Sequence, residues 1–390
     1  MLDHLQLPDD LVPGAVVMSE AEAPAVRAER DAVRRRLVLV AGSGRSGTSL
    51  MAGILRQVGL HVPQPEVPAD HTNPKGFAEP QWAVDFHDLL LRRVNVQVGD
   101  ARPQAWFETG RAGAREANRA ELTEWLAAEF AGADTLVVKD PRIAWFLSMW
   151  RVAALRCGAE TAVVSMIRHP AEVVASKGTY YGGRLGDIHR LAGWTNLMLF
   201  TERASRHTPR AFVRYDDLLT DWTRTVTGVG DLLDLTEIKH ASTQRMQEIH
   251  DFVDPDLHRV RRTWDDLDVP AGLREIADAT WVELNRMADP GHDTAAAHAR
   301  FDELRAAYAT LYGEAEALAA ASIEAAGPAF LRATRAARAS AAEAAAQAAY
   351  DAASPPRKAY LRARRVAGRV RRRWRERREL RAGLRAEAEA

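Results

Sequence analysis

Four short runs of apolar residues stand out along the chain, each bounded by polar residues. They cover residues 36–41 (RLVLVA), 135–140 (TLVVKD), 161–168 (TAVVSMIR) and 211–215 (AFVRY). Because apolar and polar positions do not alternate within the runs, both faces of each predicted strand must be buried. Strands of this kind are typical of parallel sheets that helices cover on both sides.

Helical patterns fill the segments between these predicted strands. One helix is predicted from about Gly47, a second over 142–155, and a third from Pro170, where the missing N–H of proline costs nothing. After about residue 235 the strand signals stop, and apolar residues recur at helical spacing. The pattern predicts an α/β fold, a three-layer sandwich with a central parallel sheet followed by C-terminal helices.

Composition and charge divide the 390-residue chain further. Residues 1–34 are polar and lack a clear period, which predicts a flexible N-terminal arm. The α/β domain is predicted over 35–290, a C-terminal helical extension over 291–353, and a basic, arginine-rich tail over 354–390. The whole chain has a net charge of zero, but from Pro355 onward 14 basic and 4 acidic residues give a net charge of +10. The remainder of the chain is therefore acidic, at −10.

The cysteine content and the absence of long apolar runs predict a cytoplasmic location. Cys157 is the one cysteine, so no disulfide can form within the chain. No apolar run reaches the length of a membrane span, and the N-terminus lacks the pattern of a secretory signal. The basic tail is predicted to contact anionic lipid at the inner membrane surface or an acidic partner, with a solvated helix as the alternative. No specific nucleic-acid contact is predicted, and the sequence leaves the oligomeric state open.

The glycine-rich segment GSGRSGTSL (42–50) lies between the first predicted strand and the first predicted helix. Gly42 and Gly47 have the spacing of a nucleotide-triphosphatase phosphate loop, but Thr48 occupies the position of the required lysine. The cation of the segment is Arg45, and backbone N–H groups at a helix N-terminus form an anion cradle. The loop therefore suits a 5′-phosphate or a sulfate better than a magnesium-bound triphosphate; a turn without a ligand is the alternative.

A second segment, IRHPAEVVAS (167–176), also combines a strand end with a helix start. Arg168 lies at the C-terminal end of a predicted strand, and Ser176 follows about two helical turns later. Strand C-termini in an open α/β sheet face the ligand crevice, where Arg168 could make forked contacts to a phosphate. The alternative is that Arg168 pairs with a surface carboxylate and Ser176 has no role.

Together the two segments resemble the sulfotransferase family, which uses 3′-phosphoadenosine-5′-phosphosulfate as its donor. VVKDPRIAW (137–145) and FVRYDDLLTDW (212–222) are also similar to segments of bacterial and protein-tyrosine sulfotransferases. The resemblance covers about residues 36–235 and implies a P-loop-like fold. Two features depart from the cytosolic members: Arg45 replaces the usual lysine of the loop, as in Golgi-type and many bacterial relatives, and a C-terminal G-x-x-G-x-x-K segment is missing.

The resemblance assigns the donor-binding residues. Arg168 and Ser176 are expected to hold the 3′-phosphate, and Tyr215 to touch the nucleotide, with a packed strand-end aromatic as the alternative for Tyr215. The 5′-phosphosulfate is expected to lie on the loop residues Gly44, Arg45, Ser46, Gly47, Thr48 and Ser49.

The expected chemistry is an in-line transfer of a sulfuryl group, which needs fixed cations and a base but no metal. Arg45 is the first cation. Lys139 is the second, because the lysine of a similar Lys-Asp-Pro segment is catalytic in the tyrosine-sulfating relatives; its alternative is an ion pair with Asp140 or another carboxylate. Glu79 is the favoured general base, since related enzymes place a glutamate shortly after the first helix; its alternative is a residue that only caps a helix N-terminus or interacts with the helix dipole. His71 is the second candidate, because the ordinary pKa of histidine suits the task.

The acceptor is expected to be a hydroxyl of a small molecule, a carbohydrate or a lipid. The loops at 61–80, 98–112 and 178–194 are expected to bind it, with Tyr180 and Tyr181 available for stacking and Trp194 more suited to the core. Two other functions stay open: a kinase-like P-loop phosphotransferase, and a non-catalytic nucleotide-binding scaffold whose basic tail carries the function.

Overall fold

A computed structural model gives the structure of the protein and describes residues 35–181, 186–254 and 260–320, together with Ser340 and Gln347. The chain forms two compact units, Met1–Gly313 and Glu314–Ala390. In the second unit, residues 314–320 are helical. The predicted arm (1–34) and basic tail (354–390) lie outside the described residues, and the predicted domain boundaries stay predictions.

The first unit is built on a four-stranded parallel sheet with the order β2-β1-β3-β4. The strands are β1 (Arg35–Ala41), β2 (Thr135–Lys139), β3 (Ala159–Ile167) and β4 (Arg210–Arg214). Neighbouring strands run parallel throughout, and Val40 of β1 pairs with Lys139 of β2. The predicted α/β fold with a central parallel sheet is confirmed.

Side chains from successive positions of β1 enter two different cores. Leu37 and Leu39 pack in the core on one face of the sheet, and Val38 and Val40 pack in the core on the other. All four side chains are fully buried. Each strand contains a continuous apolar run because helices cover both faces of the sheet, which gives the predicted three layers.

Helices alternate with the strands and continue after β4. In chain order they are α1 Thr48–Val58, α2 Gln81–Arg93, α3 Ala105–Gly113, α4 Glu116–Glu129, α5 Leu147–Arg156, α6 Pro170–Tyr181, α7 Asp187–Ser205, α8 Tyr215–Thr220, α9 Trp222–Leu232, α10 Thr236–Lys239, α11 Thr243–Phe252 and α12 Ala271–Met287. Residues 295–313 form a further helix, α13, within the first unit. Short 3₁₀ helices cover Ile143–Phe146 and Trp264–Asp266.

Several predicted element boundaries were wrong by a few residues. The segment 142–155 begins as the 3₁₀ helix at Ile143 and becomes α-helical only at Leu147, because the chain turns sharply after Pro141. Tyr215 was assigned to the end of β4, but it starts α8. The segment 98–112, predicted as a loop, contains most of α3.

Helix α13 contacts both the loop before α3 and helix α7. The Tyr308 hydroxyl donates to the carbonyls of Ala101 (2.7 Å) and Ala192 (3.0 Å). A Cβ at Gly193 of α7 would overlap the Gly99 carbonyl, so only glycine lets the loop before α3 approach α7 this closely. The C-terminal helix of the first unit thus fixes a loop that lines the larger cavity described below.

The third core lies between α6, α7, α12 and α13, and it contains Trp194, which is fully buried as predicted. A search of the described helices finds none with the length and hydropathy needed to cross a membrane.

Candidate active site

The glycine-rich loop follows β1 and ends at Gly47, where α1 begins. Gly47 adopts a φ of +86°, and a Cβ at this position would overlap the Tyr215 ring. Glycine is therefore required here both for the backbone conformation and for the close contact with the aromatic ring. Arg45 also lies in the left-handed region, with a φ of +77°.

Two features make the loop suitable for an anion. The amides of Thr48 and Ser49 lie in the first turn of α1, where N–H groups have no intrahelical acceptor. Ser46 is fully buried, and its Oγ has no hydrogen-bond partner within the part of the chain that the structure describes. A buried hydroxyl without a partner is costly, so a bound oxyanion would supply the missing contact.

Two cavities border this loop. The smaller has a volume of about 270 Å³ and the larger about 810 Å³. Four residues line both cavities: Arg45, Thr48, Ser49 and Asn73. The loop therefore forms a shared wall at which ligands in the two cavities would meet.

The smaller cavity contains the residues assigned to the 3′-phosphate end of the donor. Arg168, Ser176 and Tyr215 all line it, and Arg45 Nε donates to Ser176 Oγ at 3.1 Å. The Arg45 guanidinium also lies 4.2 Å from the centre of the Tyr180 ring. The two sequence segments that lie more than 100 residues apart thus meet directly through Arg45 and Ser176.

Protein contacts hold Arg168 firmly in the wall of the smaller cavity. Its Nε donates to Glu172 (2.7 Å), and its two terminal nitrogens donate to the backbone carbonyls of Arg45 (3.1 Å) and Val260 (2.9 Å). The sequence left open an ion pair between Arg168 and a surface carboxylate. Arg168 does pair with the carboxylate of Glu172, but both side chains are buried and not at the surface. These contacts use three of the five N–H groups of the guanidinium, which leaves two for a ligand.

Lys139 and Glu79 form an ion pair at the edge of the larger cavity. Lys139 is 2% exposed and Glu79 is 7% exposed, and the ammonium also donates to Ser49 Oγ at 3.0 Å. Burial raises the pKa of Glu79, and the opposing charge of Lys139 offsets this only in part. Lys139 therefore links the proposed base to the first turn of α1, and it pairs with Glu79 rather than with Asp140.

Asp140 belongs instead to a buried network behind Lys139. It lies 2.6 Å from His87 Nδ1, and Trp150 Nε1 donates to His87 Nε2 at 2.8 Å. Because the indole N–H can only donate, Nε2 must accept, and the imidazole proton lies on Nδ1 facing Asp140. Burial alone would raise the pKa of Asp140, but the His87 hydrogen bond and the Arg142 charge outweigh it and hold the pKa below its usual value. The network fixes the chain directly after Lys139.

His71 lies apart from this arrangement. Its side chain is exposed in the turn before Asn73, and it belongs to the lining of neither cavity. Glu79 lines the larger cavity, so the geometry brings only one of the two candidate bases to the shared wall.

Sequence reasoning missed several residues of the site. Lys177 follows Ser176 in the chain and donates to Ser43 Oγ at 2.9 Å, so it reaches the other side of the loop. Phe252 lines the smaller cavity from the end of α11, far outside the motifs. The position of Lys177 beside the predicted phosphate motif was a usable signal, whereas nothing local marked Phe252.

Tyr180 was expected to contact the acceptor, but it lines the smaller cavity. The Tyr181 side chain lies outside the described residues.

A profile of the Sulfotransferase family matches residues 38–239, slightly more than half of the chain. The chain belongs to the sulfotransferase family. It is therefore a transferase, and the matched region contains the glycine-rich loop, Glu79, Lys139 and Arg168.

Solved structures of sulfotransferases share low sequence identity with this chain. The sulfotransferase domain of the Synechococcus PCC 7002 olefin synthase is 17% identical, with 66% of this chain and 95% of that chain covered and a TM-score of 0.36. The sulfotransferase domain from the curacin biosynthetic pathway is 14% identical, with coverage of 64% and 98% and a TM-score of 0.36. A sulfotransferase from Mycobacterium tuberculosis H37Rv is 14% identical, with coverage of 59% and 74% and a TM-score of 0.32. A search of curated protein sequences returns no significant match.

Proposed function

We propose that this sulfotransferase moves a sulfuryl group from 3′-phosphoadenosine-5′-phosphosulfate to a hydroxyl of a small-molecule, carbohydrate or lipid acceptor. The observation that carries the proposal is the pair of cavities that meet at Arg45, Thr48 and Ser49, with the Lys139–Glu79 pair at the edge of the larger one. A donor in one cavity and an acceptor in the other would bring their reacting atoms together at this wall.

The donor would occupy the smaller cavity and the loop. The buried Ser46 hydroxyl and the first-turn amides of α1 suit the 5′-phosphosulfate, because they offer fixed dipoles to a negative group. Arg168 and Ser176 suit the 3′-phosphate. The Arg168 guanidinium carbon lies 4.6 Å from the centre of the Tyr215 ring. The 3′-phosphate is the feature that would distinguish this donor from ATP.

The transfer itself makes and breaks one bond to sulfur. The bond between sulfur and the 5′-phosphate oxygen breaks, a bond between sulfur and the acceptor oxygen forms, and the acceptor proton passes to Glu79. Lys139 and Arg45 would stabilise the charge that develops on the departing phosphate oxygen, as fixed cations do in phosphoryl transfer. The raised pKa of Glu79 brings its basicity closer to neutral pH, which suits a general base.

We also propose a cytoplasmic location and a contact between the basic tail and anionic lipid or an acidic partner. The location rests on the single cysteine, whose thiol is buried and has a raised pKa because burial disfavours the thiolate. The tail contact rests on the net charge of +10 over residues 355–390.

Label transfer tests the proposed reaction. The protein is incubated with sulfur-labelled 3′-phosphoadenosine-5′-phosphosulfate and a pool of alcohols, and in parallel with ATP labelled at the γ-phosphate and magnesium. We expect label in the alcohol fraction, or as free sulfate, only with the sulfuryl donor. Transfer of label from ATP instead would favour the kinase-like alternative.

A further inference from the structure

Lys177 is a cation of the larger cavity for which the proposed transfer has no use. It lies on α6, directly after Ser176, and its side chain is partly buried. The ammonium donates to Ser43 Oγ, and no carboxylate of the described residues lies within 4 Å of it. Lys177 lines the larger cavity but not the smaller one, so it faces the acceptor side of the loop.

The three cations of the described first unit that are less than a tenth exposed are neutralised by carboxylates. Lys139 pairs with Glu79, Arg168 with Glu172, and Arg210 with both Glu202 and an aspartate. The protein therefore compensates these cations, as the cost of burying an unpaired charge requires. Lys177 has no such carboxylate partner among the described residues.

A second cation increases the positive charge beside Lys177. Arg190 of α7 packs against Gly178, the next residue along α6, with its guanidinium 3.2 Å from the position of a Cβ there. Arg190 lines the same cavity and pairs with the partly exposed Asp187 at 2.8 Å. Burial, followed by the charge of Arg190, lowers the pKa of Lys177 to about 8. At neutral pH the cavity wall still holds two neighbouring positive charges.

We propose that Lys177 and Arg190 form an anion-binding subsite of the larger cavity, and that the acceptor carries a carboxylate, phosphate or sulfate group in addition to its hydroxyl. The proposal rests on the proposed function, since it treats the larger cavity as the acceptor site. An acceptor anion would supply a countercharge to Lys177, for which the described residues offer no carboxylate, and it would hold the acceptor at a second point away from Glu79.

The dimensions of the cavity are compatible with such an acceptor. A volume of about 810 Å³ is at the upper end of the range for small-molecule sites, so it accommodates an anionic group and a separate hydroxyl in one ligand. Its lining places Lys177 and Arg190 beside apolar side chains such as Val84, Leu91 and Leu197, and the lining carboxylates Glu79 and Asp88 are paired with Lys139 and Arg142. An amphipathic organic anion fits this combination better than a neutral sugar does.

A matched pair of probes tests the subsite. Para-hydroxymethyl benzoate and para-hydroxymethyl benzamide have nearly the same shape and differ in charge. Their dissociation constants are measured by ligand-detected NMR with the full chain and with the variants Lys177→Met and Lys177→Arg. We expect the full chain to bind the benzoate about ten-fold or more tightly than the amide, because a charge-assisted contact has roughly that effect. The methionine variant should lose this preference, and the arginine variant should keep most of it.

Two controls separate the possible failures. Lys239→Met removes a surface lysine and should leave the preference unchanged, and thermal unfolding shows whether each variant is folded. Equal binding of the two probes by the full chain, or an unchanged preference in Lys177→Met, would overturn the subsite. Titration with 3′-phosphoadenosine-5′-phosphate is run on the same samples: no binding would contradict the proposed donor while leaving the probe comparison valid. A large loss of nucleotide affinity in Lys177→Met would assign Lys177 to the donor and also overturn the proposal.

Discussion

Replacing Glu79 by glutamine separates the proposed base from the proposed donor site. Glutamine keeps the size of the side chain and an oxygen that can accept from Lys139, but it cannot take a proton from an acceptor hydroxyl. General-base assistance is worth about 10²–10⁴ in rate, or about 2.7–5.4 kcal/mol of activation free energy. We therefore expect turnover to fall by that factor.

The same substitution should affect stability and donor affinity in different directions. Glu79 is 7% exposed and neutralises a lysine that is 2% exposed, and removal of one partner of such a buried pair costs about 3–5 kcal/mol. Because glutamine retains a hydrogen-bond acceptor, the loss should be about 3 kcal/mol, which in a unit of this size lowers the melting temperature by about 4–6 °C. Lys139 would lose its countercharge, so the affinity for 3′-phosphoadenosine-5′-phosphate should stay equal or increase.

The pH profile gives a third, independent readout. Glu79 acts only when it is unprotonated, and burial raises its pKa above the ordinary value of 4.5. Wild-type turnover should therefore fall on the acid side at a higher pH than an exposed glutamate would give, and this limb should vanish in Glu79→Gln.

The assay is donor turnover, followed as release of the bisphosphate nucleotide, together with calorimetric nucleotide titration. His71→Gln is the matched control, because His71 is exposed and lies outside the lining of both cavities; we expect a change of less than about two-fold. Near wild-type turnover in Glu79→Gln, or a strong loss in His71→Gln alone, would refute the assignment of the base.

Three further changes test other parts of the site. Arg168→Ala should weaken binding of 3′-phosphoadenosine-5′-phosphate by about ten-fold or more without affecting adenosine 5′-phosphosulfate, as measured by calorimetry; equal losses would mean that Arg168 does not bind the 3′-phosphate. Gly47→Ala should abolish binding of both nucleotides, because the new Cβ would overlap the Tyr215 ring and the φ of +86° is strained for alanine; unchanged titrations would contradict the loop geometry. A chain that ends at residue 320 should bind the nucleotide as the full chain does, since the lining residues of both cavities lie between 44 and 260, and a loss of binding would show that the C-terminal region contributes.

The sheet and the phosphate loop could be predicted because their signals are local. Each strand contains a continuous apolar run, and the loop needs glycine at a turn whose backbone lies in the left-handed region, so both appear as short patterns. Arg168 was predicted at the C-terminal edge of the sheet for the same reason: strand ends in a parallel sheet meet at one edge.

The remaining features depend on contacts between distant segments. Glu79, and not His71, lies beside Lys139, a contact between residues 60 positions apart that no local pattern reveals. Asp140 contacts His87 of α2, which in turn accepts from Trp150 of α5, so the sequence alone could not show that Asp140 pairs with His87 and not with the adjacent Lys139. Lys177 can be recognised as an uncompensated cation only when the absence of a nearby carboxylate is visible in the fold.

The most direct test of the proposed donor is a comparison of 3′-phosphoadenosine-5′-phosphate with ADP by calorimetry, with and without magnesium. The two nucleotides share an adenine and two phosphates but place the second phosphate at different ends of the ribose. The proposed site predicts binding of the 3′-phosphorylated nucleotide that is about 100-fold tighter, equivalent to about 2.7 kcal/mol, and independent of magnesium. Equal affinities, or a preference for ADP that requires magnesium, would contradict a sulfuryl donor in the smaller cavity.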